Sequence, residues 1–139
     1  MIRESDAAYM AGLFDGEGSI DFTKRKEKKR SGTYNCRRVS MEITMTDQSV
    51  IRWMHEVLGV GTVVKKPRKG LRKDGTKYLM QWRWRCTFRD AYYVCRVLWP
   101  YAHTKLPKIQ QVIDHYSKEK VMEGNVVSLN EYRKAMSLE

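Results

Sequence analysis

Two carboxylates flanked by glycines are the residues of this 139-residue chain whose spacing could support chemistry. Asp15 and Glu17 close the segment MAGLFDGEG, in which Gly16 and Gly18 stand on either side of the second acid. Glycines commonly end helices, so the Glu17 carboxylate is expected to project into open space. A helix C-terminus carries partial negative charge, so a cationic group is expected nearby. Hard oxygen donors of this type favour Mg²⁺ over zinc, and a divalent cation supports phosphodiester hydrolysis.

The same segment predicts a helix over about residues 5–16 with two faces that need partners. Met10, Leu13 and Phe14 follow the i, i+3, i+4 spacing of an apolar face. The opposite face is small or acidic, and each interior glycine costs about 1 kcal/mol relative to alanine. Close approach of another backbone explains that cost, and a second copy of the chain would supply it. The residues expected at this dimer interface are Ala11, Gly12, Asp15 and Gly16.

Periodicity along the rest of the chain predicts the elements that must position these residues. The predicted strands cover about residues 20–25, 34–46, 62–66 and 77–88, and the further helices cover about 48–58, 90–98, 106–118 and 129–136. Asp47 is the expected N-cap of the second helix, which should end at Gly59. The order αββαββα followed by C-terminal helices indicates an α+β fold with a four-stranded antiparallel sheet. Residues 1–120 are expected to form one domain, with residues 121–139 as a tail or helix.

The fourth predicted strand alternates between apolar and polar side chains. Its expected core-facing side chains are those of Tyr78, Met80, Trp82, Trp84, Cys86 and Phe88. The other face, with the matching face of the first two strands, mixes basic, amide, hydroxyl and acidic groups, which favours base reading in a major groove. The expected base-contacting residues are Asp21, Thr23, Arg25, Arg38, Ser40, Glu42, Gln81, Arg83 and Arg85. Lys66 and Arg68 begin a basic loop that is expected to bind phosphates.

The charge balance points to the same class of partner. Lys and Arg number 27 against 16 Asp and Glu, so the formal net charge is +11, which is typical of nucleic-acid-binding proteins. No apolar run approaches the roughly 18 residues of a membrane-spanning helix. We therefore expect neither a membrane nor a small-molecule partner, and a cytoplasmic, nucleoid-associated or organellar location. Cys36, Cys86 and Cys95 lack metal-ligand spacing and are expected to be reduced.

The segment MAGLFDGEG resembles the motif of the LAGLIDADG homing-endonuclease family, with Met10 for the first leucine and Glu17 as the second acid. Two further segments resemble the family over a total span of about residues 7–118. LWPYAHTK, residues 98–105, is similar to a leucine–proline segment that leads to a lysine. ITMTD, residues 43–47, followed by Gly59-Val60-Gly61, is similar to the family's strand-to-helix corner.

The resemblance implies a homodimer, because this chain contains one copy of the motif. It implies that the motif helices form the interface and that Glu17, with the Gly16 carbonyl, binds Mg²⁺. Mn²⁺ or Ca²⁺ could substitute for binding. Lys105 is implied as a second catalytic residue that stabilises the phosphate or helps to activate water. The implied activity is cleavage of both strands of a long, pseudo-palindromic double-stranded DNA site.

Two other functions are open at this stage. The chain could be a DNA-binding regulator or an intron RNA maturase of the same fold that does not cut. Met45 suggests this, since family members often place glutamine or asparagine there to position solvent, which methionine does poorly. A basic RNA-binding structural protein is the third possibility, and it leaves the position of Glu17 unexplained.

Overall fold

The computed structural model describes residues 1–122, apart from the side chains at positions 25, 27, 34, 35 and 118–122. The elements are α1 (Glu4–Glu17), β1 (Gly18–Lys29), β2 (Gly32–Met45), α2 (Gln48–Leu58), β3 (Thr62–Lys66), β4 (Gln81–Thr87), α3 (Phe88–Leu98) and α4 (Leu106–Met122). The predicted α+β class and element order are confirmed. The helix expected over 129–136 lies outside the described residues, and α4 continues two residues past the expected domain end at 120. Within residues 1–122, no helix combines the length and apolar character needed to cross a membrane.

The four strands form the predicted antiparallel sheet, and their order in it is β1-β2-β4-β3. β2 pairs with β1 from Gly32 to Ile43, whereas its pairing with β4 begins only at Ser40. The β1–β2 hairpin therefore extends beyond the rest of the sheet as a two-stranded arm. This arm is longer than expected, because β1 continues to Lys29, past the predicted strand end near residue 25.

The hydrophobic core lies between one face of the sheet and the helices. The sheet contributes alternate residues of its strands to this core. Among them are Val39, Met41, Ile43 and Trp84, which are fully or almost fully buried. The helices contribute buried side chains from all four elements: Met10 and Phe14, Ile51 and Met54, Val94 and Leu98, and Ile109 and Val112. The Phe14 ring meets Trp84 edge-on, with 5.7 Å between ring centres. Helix α1 is thereby fixed against the centre of the sheet.

Helix α2 begins and ends at the residues predicted from the sequence. The Asp47 carboxylate accepts a hydrogen bond from the Val50 amide at 3.3 Å and another from the Ser49 hydroxyl at 2.6 Å. These bonds, chiefly that from Ser49, lower the pKa of Asp47, so the cap is ionised at neutral pH. Gly59 ends the helix in the left-handed conformation, with φ at 72°.

The predicted β4 strand is too long at both ends. It begins at Gln81, so Tyr78 and Met80 lie in the preceding loop, and Met80 is 44% exposed instead of core-facing. At the other end Phe88 adopts a φ of 51° and starts α3, which leaves its ring 51% exposed. The sharp change of direction from strand to helix interrupts the alternation there. Trp84 and Cys86 keep the predicted buried positions.

Candidate active site and nucleic-acid interface

The end of α1 is built so that the last acid faces outward. Met10 and Phe14 are buried on the core side, while Gly16 and Glu17 are exposed. β1 starts at the next residue, Gly18, where a Cβ atom would collide with the Phe14 ring. Glycine at this position lets the chain pass directly from helix to strand, so the Glu17 carboxylate stands at the junction of the two elements.

Asp15 connects this junction to a distant part of the chain. Its two carboxylate oxygens accept hydrogen bonds from the backbone amides of His103, at 2.9 Å, and Lys105, at 3.0 Å. These amides lie just before α4, whose N-terminus carries partial positive charge. The positive group expected near the end of α1 is therefore supplied, at least in part, by backbone N–H groups at the start of another helix.

The same hydrogen bonds place Lys105 beside the motif. Lys105 is half-buried, its amide is held by Asp15, and Glu17 lies two residues further along α1. The segments around the two predicted catalytic residues, which are far apart in sequence, are thus held together through Asp15. Both carboxylate oxygens of Asp15 are therefore engaged within the chain, a contact that the sequence does not predict.

The glycine face of α1 is open within a single chain. Gly12 and Gly16 are exposed, and a Cβ atom built at either glycine would have no neighbour within 4 Å among the described residues. Ala11 does not belong to this face, and its assignment to the interface is wrong. It is 0% exposed and packs in the core with Met10 and Phe14, since it follows Ala7 by four residues on the buried side of the helix.

The register brings the predicted base-contacting positions onto one face of the sheet, opposite the helices. Asp21 pairs with Ser40, which pairs with Thr87, and Glu42 pairs with Arg85. Paired residues of an antiparallel sheet share a face. We call this the outer sheet face, and its predicted members are Asp21, Thr23, Arg25, Arg38, Ser40, Glu42, Gln81, Arg83 and Arg85. The side chain of Arg25 lies outside the described part of the structure, although its backbone holds the expected place in β1.

Side chains on the outer sheet face are already organised by charge. Glu42 lies opposite Arg85 and has its Oε2 atom 4.0 Å from Nη1 of Arg83. The Nε atom of Arg83 is buried and has no hydrogen-bond partner among the described residues. Ser40 is almost fully buried at the centre of the face, where it helps to line a cleft of about 410 Å³ with Asp21, Glu42 and Arg85. Glu42 can therefore orient arginines toward a ligand on this surface.

Further outer-face positions, beyond those predicted from the sequence, follow from the strand register. Ser19 pairs with Glu42, Thr44 pairs with Arg83, and Thr62 pairs with Arg85. Strict alternation extended by one more residue would have identified Ser19 and Thr44. Lys66 lies at the exposed edge of the same face, opposite Gln81, whereas Arg68 lies beyond it on the loop between β3 and β4.

Met45 belongs to the inner side of the sheet. It pairs with Trp82 and packs against the hydrophobic core, so packing explains the methionine. Its side chain therefore lies away from the outer face, and the hypothesis of a non-cleaving protein based on Met45 stays a prediction.

The described residues contain no group of three or more His, Cys, Asp or Glu side chains that could hold a metal ion. Glu17 is nevertheless an exposed hard oxygen donor at the end of α1, next to the backbone carbonyl of Gly16. These donors fit Mg²⁺ only if further ligands come from a second chain or from phosphates. Cys86 and Cys95 form no disulfide, and burial raises the pKa of Cys86 to about 12 and raises that of Cys95 as well, so neither is a thiolate ligand at neutral pH.

Comparisons with known proteins agree with this architecture. A family model described as LAGLIDADG endonuclease matches residues 10–87. No curated protein sequence matched the chain significantly. Among solved structures, the homing endonuclease I-CvuI in complex with the I-CreI target and Mg is 22% identical, with a TM-score of 0.59 over 80% of this chain.

Two other structures are similar at lower identity. I-SmaMI bound to cleaved DNA is 14% identical, with a TM-score of 0.60. The matched region covers 95% of this chain and 42% of the I-SmaMI chain. The group I intron-encoded homing endonuclease I-CeuI complexed with DNA is 14% identical, with a TM-score of 0.58 over 89% of this chain and 58% of its own. The chain spans 65% and 63% of the chains in two I-CvuI structures, so it is shorter than these similar proteins. At such identities the likeness establishes the fold.

Proposed function

This chain belongs to the LAGLIDADG endonuclease family, and on that premise we propose that it is a site-specific homing endonuclease. As a homodimer it binds a long, pseudo-palindromic site in double-stranded DNA and hydrolyses both strands with a divalent metal ion. The DNA complexes among the similar structures support double-stranded DNA as the partner. The Mg and Ca of the I-CvuI structures support a divalent ion, for which we propose Mg²⁺.

The observation that carries this proposal is the pair of hydrogen bonds that the Asp15 carboxylate accepts from the His103 and Lys105 backbone amides. They hold the backbone of Lys105, a half-buried residue, at Asp15, two positions before the exposed Glu17 at the end of α1. Negative charge develops on the phosphate during phosphodiester hydrolysis, and a positive group at this junction would stabilise it in the transition state. A DNA- or RNA-binding protein without catalysis would leave the position of the exposed Glu17 unexplained.

Each proposed catalytic group has a separate task. The Glu17 carboxylate and the Gly16 carbonyl would hold the metal ion, with further ligands from the second chain and from DNA phosphates. When bound, the ion lowers the pKa of water and offsets charge on the phosphate. Lys105 stabilises the phosphate or helps to activate water from its place at the start of α4. The open face at Gly12 and Gly16 would bring the corresponding face of a second chain close, so that two Glu17 side chains lie near the two-fold axis.

The outer sheet face would supply sequence recognition. Arginine can bond guanine through two hydrogen bonds, glutamine suits adenine, and a twisted antiparallel ribbon fits the major groove. The arm formed by β1 and β2 extends this surface away from the α1 junction, which suits a long site with a half on each side of a central dyad. Lys66 and Arg68 flank the face and would bind phosphates.

Cleavage of the native locus tests the proposal. Purified protein is incubated with a plasmid that carries the uninterrupted form of its genomic insertion site, in Mg²⁺ and in EDTA. We expect double-strand cleavage in Mg²⁺ and none in EDTA. Glu17→Gln should lower the cleavage rate by about 100-fold or more, because a metal contributes several kcal/mol to charge stabilisation in the transition state. The exposed position of Glu17 should leave the circular dichroism spectrum of the variant unchanged.

The result separates the remaining functions. Tight, specific binding of the locus without cleavage in any divalent metal would indicate a DNA-binding regulator instead. Preferential binding of the intron transcript would indicate a maturase. A Glu17→Gln protein that cuts at the wild-type rate would refute the metal-ligand assignment even if the wild type cuts.

A further inference from the structure

The loop between β3 and β4, residues 67–80, is folded into a hairpin that we call the basic finger. The Arg72 amide donates to the Thr76 carbonyl at 2.8 Å, and the Gly75 amide donates to the Arg72 carbonyl at 2.9 Å. Leu71 and Lys77 form an antiparallel bridge below this turn. Gly75 has a φ of 85°, where glycine is favoured. The finger therefore has a defined shape, in contrast to a simple connecting loop.

The acid in the finger stabilises the turn. Asp74 is the finger's one acidic residue in the sequence. Its carboxylate accepts hydrogen bonds from the Thr76 hydroxyl at 2.6 Å and the Thr76 amide at 3.0 Å. These bonds lower the pKa of Asp74, so the group is ionised at neutral pH yet engaged in holding the turn. Asp74 therefore has a structural role in the finger. The basic residues of the finger are Arg68, Lys69, Arg72, Lys73 and Lys77.

Tyr78 gathers two of these cations. The guanidinium carbon of Arg68 lies 4.1 Å from the centre of the Tyr78 ring, and that of Arg72 lies 5.9 Å from the same centre. Both distances are within the range of cation–π attraction. Like charges repel, so two arginines at one ring are unfavourable unless the ring attraction and an anion offset that repulsion. Arg68, Tyr78 and their neighbours also line a shallow cleft of about 470 Å³.

We propose that Tyr78 is a positioning residue that holds Arg68 and Arg72 as a pair for the backbone phosphates of a DNA duplex. This inference rests on the proposed function, since the duplex is the one bound by the outer sheet face. The finger continues directly from the last β3–β4 pair, Lys66 with Gln81, at the edge of that face. A duplex seated on the outer face would therefore pass the finger. Planar guanidinium groups suit phosphate oxygens better than lysine does, because they offer paired donors.

Salt-dependent DNA binding tests the role of Tyr78. Fluorescence anisotropy is measured with the full chain and a labelled, mixed-sequence DNA duplex at a series of salt concentrations. Tyr78→Leu should weaken binding about two- to tenfold. It should also reduce the magnitude of the slope of log K against log salt by roughly 0.9 or more, which is the contribution of one phosphate contact. A variant that is merely less well folded loses active fraction without a change in slope.

Three further variants test whether the aromatic ring of Tyr78 and the guanidinium group of Arg68 are the groups required for binding. Tyr78→Phe keeps the ring and should bind within twofold of wild type. Arg68→Lys keeps the charge but loses planar stacking and should show weakened binding, so the inference remains testable if Tyr78→Leu misfolds. Tyr93→Leu is the matched control, because Tyr93 is 40% exposed on α3, outside the finger and the outer sheet face. The affinity of this variant for the duplex should equal that of wild type.

The outcomes separate this inference from the proposed function. If the wild-type chain does not bind the duplex, the proposed function and this inference both fail. If the wild type binds and Tyr78→Leu keeps its affinity and salt slope, the inference alone is overturned. It is also overturned if Tyr78→Phe is as impaired as Tyr78→Leu, or if only an RNA hairpin, used as a competitor, shows dependence on Tyr78.

Discussion

At the scale of single residues, the two acids of the motif do different work. Asp15 accepts hydrogen bonds from two backbone amides that lie 88 and 90 residues away in sequence. Glu17, two positions later, is exposed. The first acid therefore joins α1 to the start of α4, and the second is available for a ligand. A sequence that needed only a charged helix end would not require both.

This difference predicts effects of different size on stability from two substitutions that each remove one negative charge. Asp15→Asn should lower the free energy of unfolding by about 1–2 kcal/mol, because the neutral amide can accept from only one of the two N–H groups and turns a donor toward the other. Glu17→Gln should change that free energy by less than about 0.5 kcal/mol, as expected for an exposed side chain. Urea unfolding of both variants beside wild type measures the contrast.

Equal stability of the two variants would contradict the assignment of Asp15 as the connection between α1 and α4.

The sequence revealed both acids and the need for a positive group near them. It did not reveal that backbone amides supply part of that charge, because a contact between residues 15 and 105 leaves no local pattern. Ala11 was misplaced for a related reason. Its small size suits either a close helix contact or a tight core, and only packing decides between them.

At the scale of elements, most boundaries follow from local chemistry, and the errors occur where tertiary structure overrides it. Asp47 and Gly59 set the ends of α2 as predicted, since capping depends on nearby residues. β1 continues through a lysine-rich stretch because its partner β2 pairs with it to the tip of the arm. Alternation predicted Tyr78 and Met80 to be in β4, but the basic finger takes them out of the sheet. Pairing between strands, which decides these cases, is not visible in a single segment.

The junction between α1 and β1 supports a prediction at this scale. Gly18→Ala should lower the free energy of unfolding by about 1–3 kcal/mol, the usual cost of overpacking a core. Gly18 does not need glycine for its backbone angles, since its φ is −83°. The penalty comes from the Phe14 ring, which the new methyl group would overlap and which is held in turn against Trp84.

Ser19→Ala, one residue along the same strand, is the control for that measurement. Ser19 is exposed on the outer sheet face, so the variant should unfold within about 0.5 kcal/mol of wild type in urea. Unchanged stability of Gly18→Ala would show that the helix-to-strand junction can relax, and the position of Glu17 would then be less firmly fixed than the packing indicates.

At the scale of the whole molecule, residues 1–122 present two surfaces that pack against no other described element. One is the outer sheet face with the basic finger at its edge. Together they carry much of the excess positive charge behind the net charge of +11. The other is the exposed glycine face of α1. The buried side of α1 packs on α3 and the first two strands, so its open side is free to meet a second copy. Joining two chains there would place two outer sheet faces side by side along one duplex.

The glycine face predicts the effect of a large side chain on assembly. Gly12→Leu should leave each chain folded, because a side chain at this position meets open space within the chain. It should also prevent close approach of two α1 helices, since glycine permits a backbone separation that leucine does not. We expect wild-type protein to have the mass of a dimer by light scattering at micromolar concentration and Gly12→Leu to have the mass of a monomer.

Gln111→Leu is the matched control, because it adds the same side chain at an exposed position of α4. Its mass and circular dichroism spectrum should both match wild type, which excludes a general effect of an added surface leucine. If Gly12→Leu remains dimeric, the interface lies elsewhere and the glycines of α1 need another explanation. A wild-type chain that is monomeric and binds a single half-site would contradict the dimer itself, because Glu17 would then lack the second carboxylate that a metal site at the dyad requires.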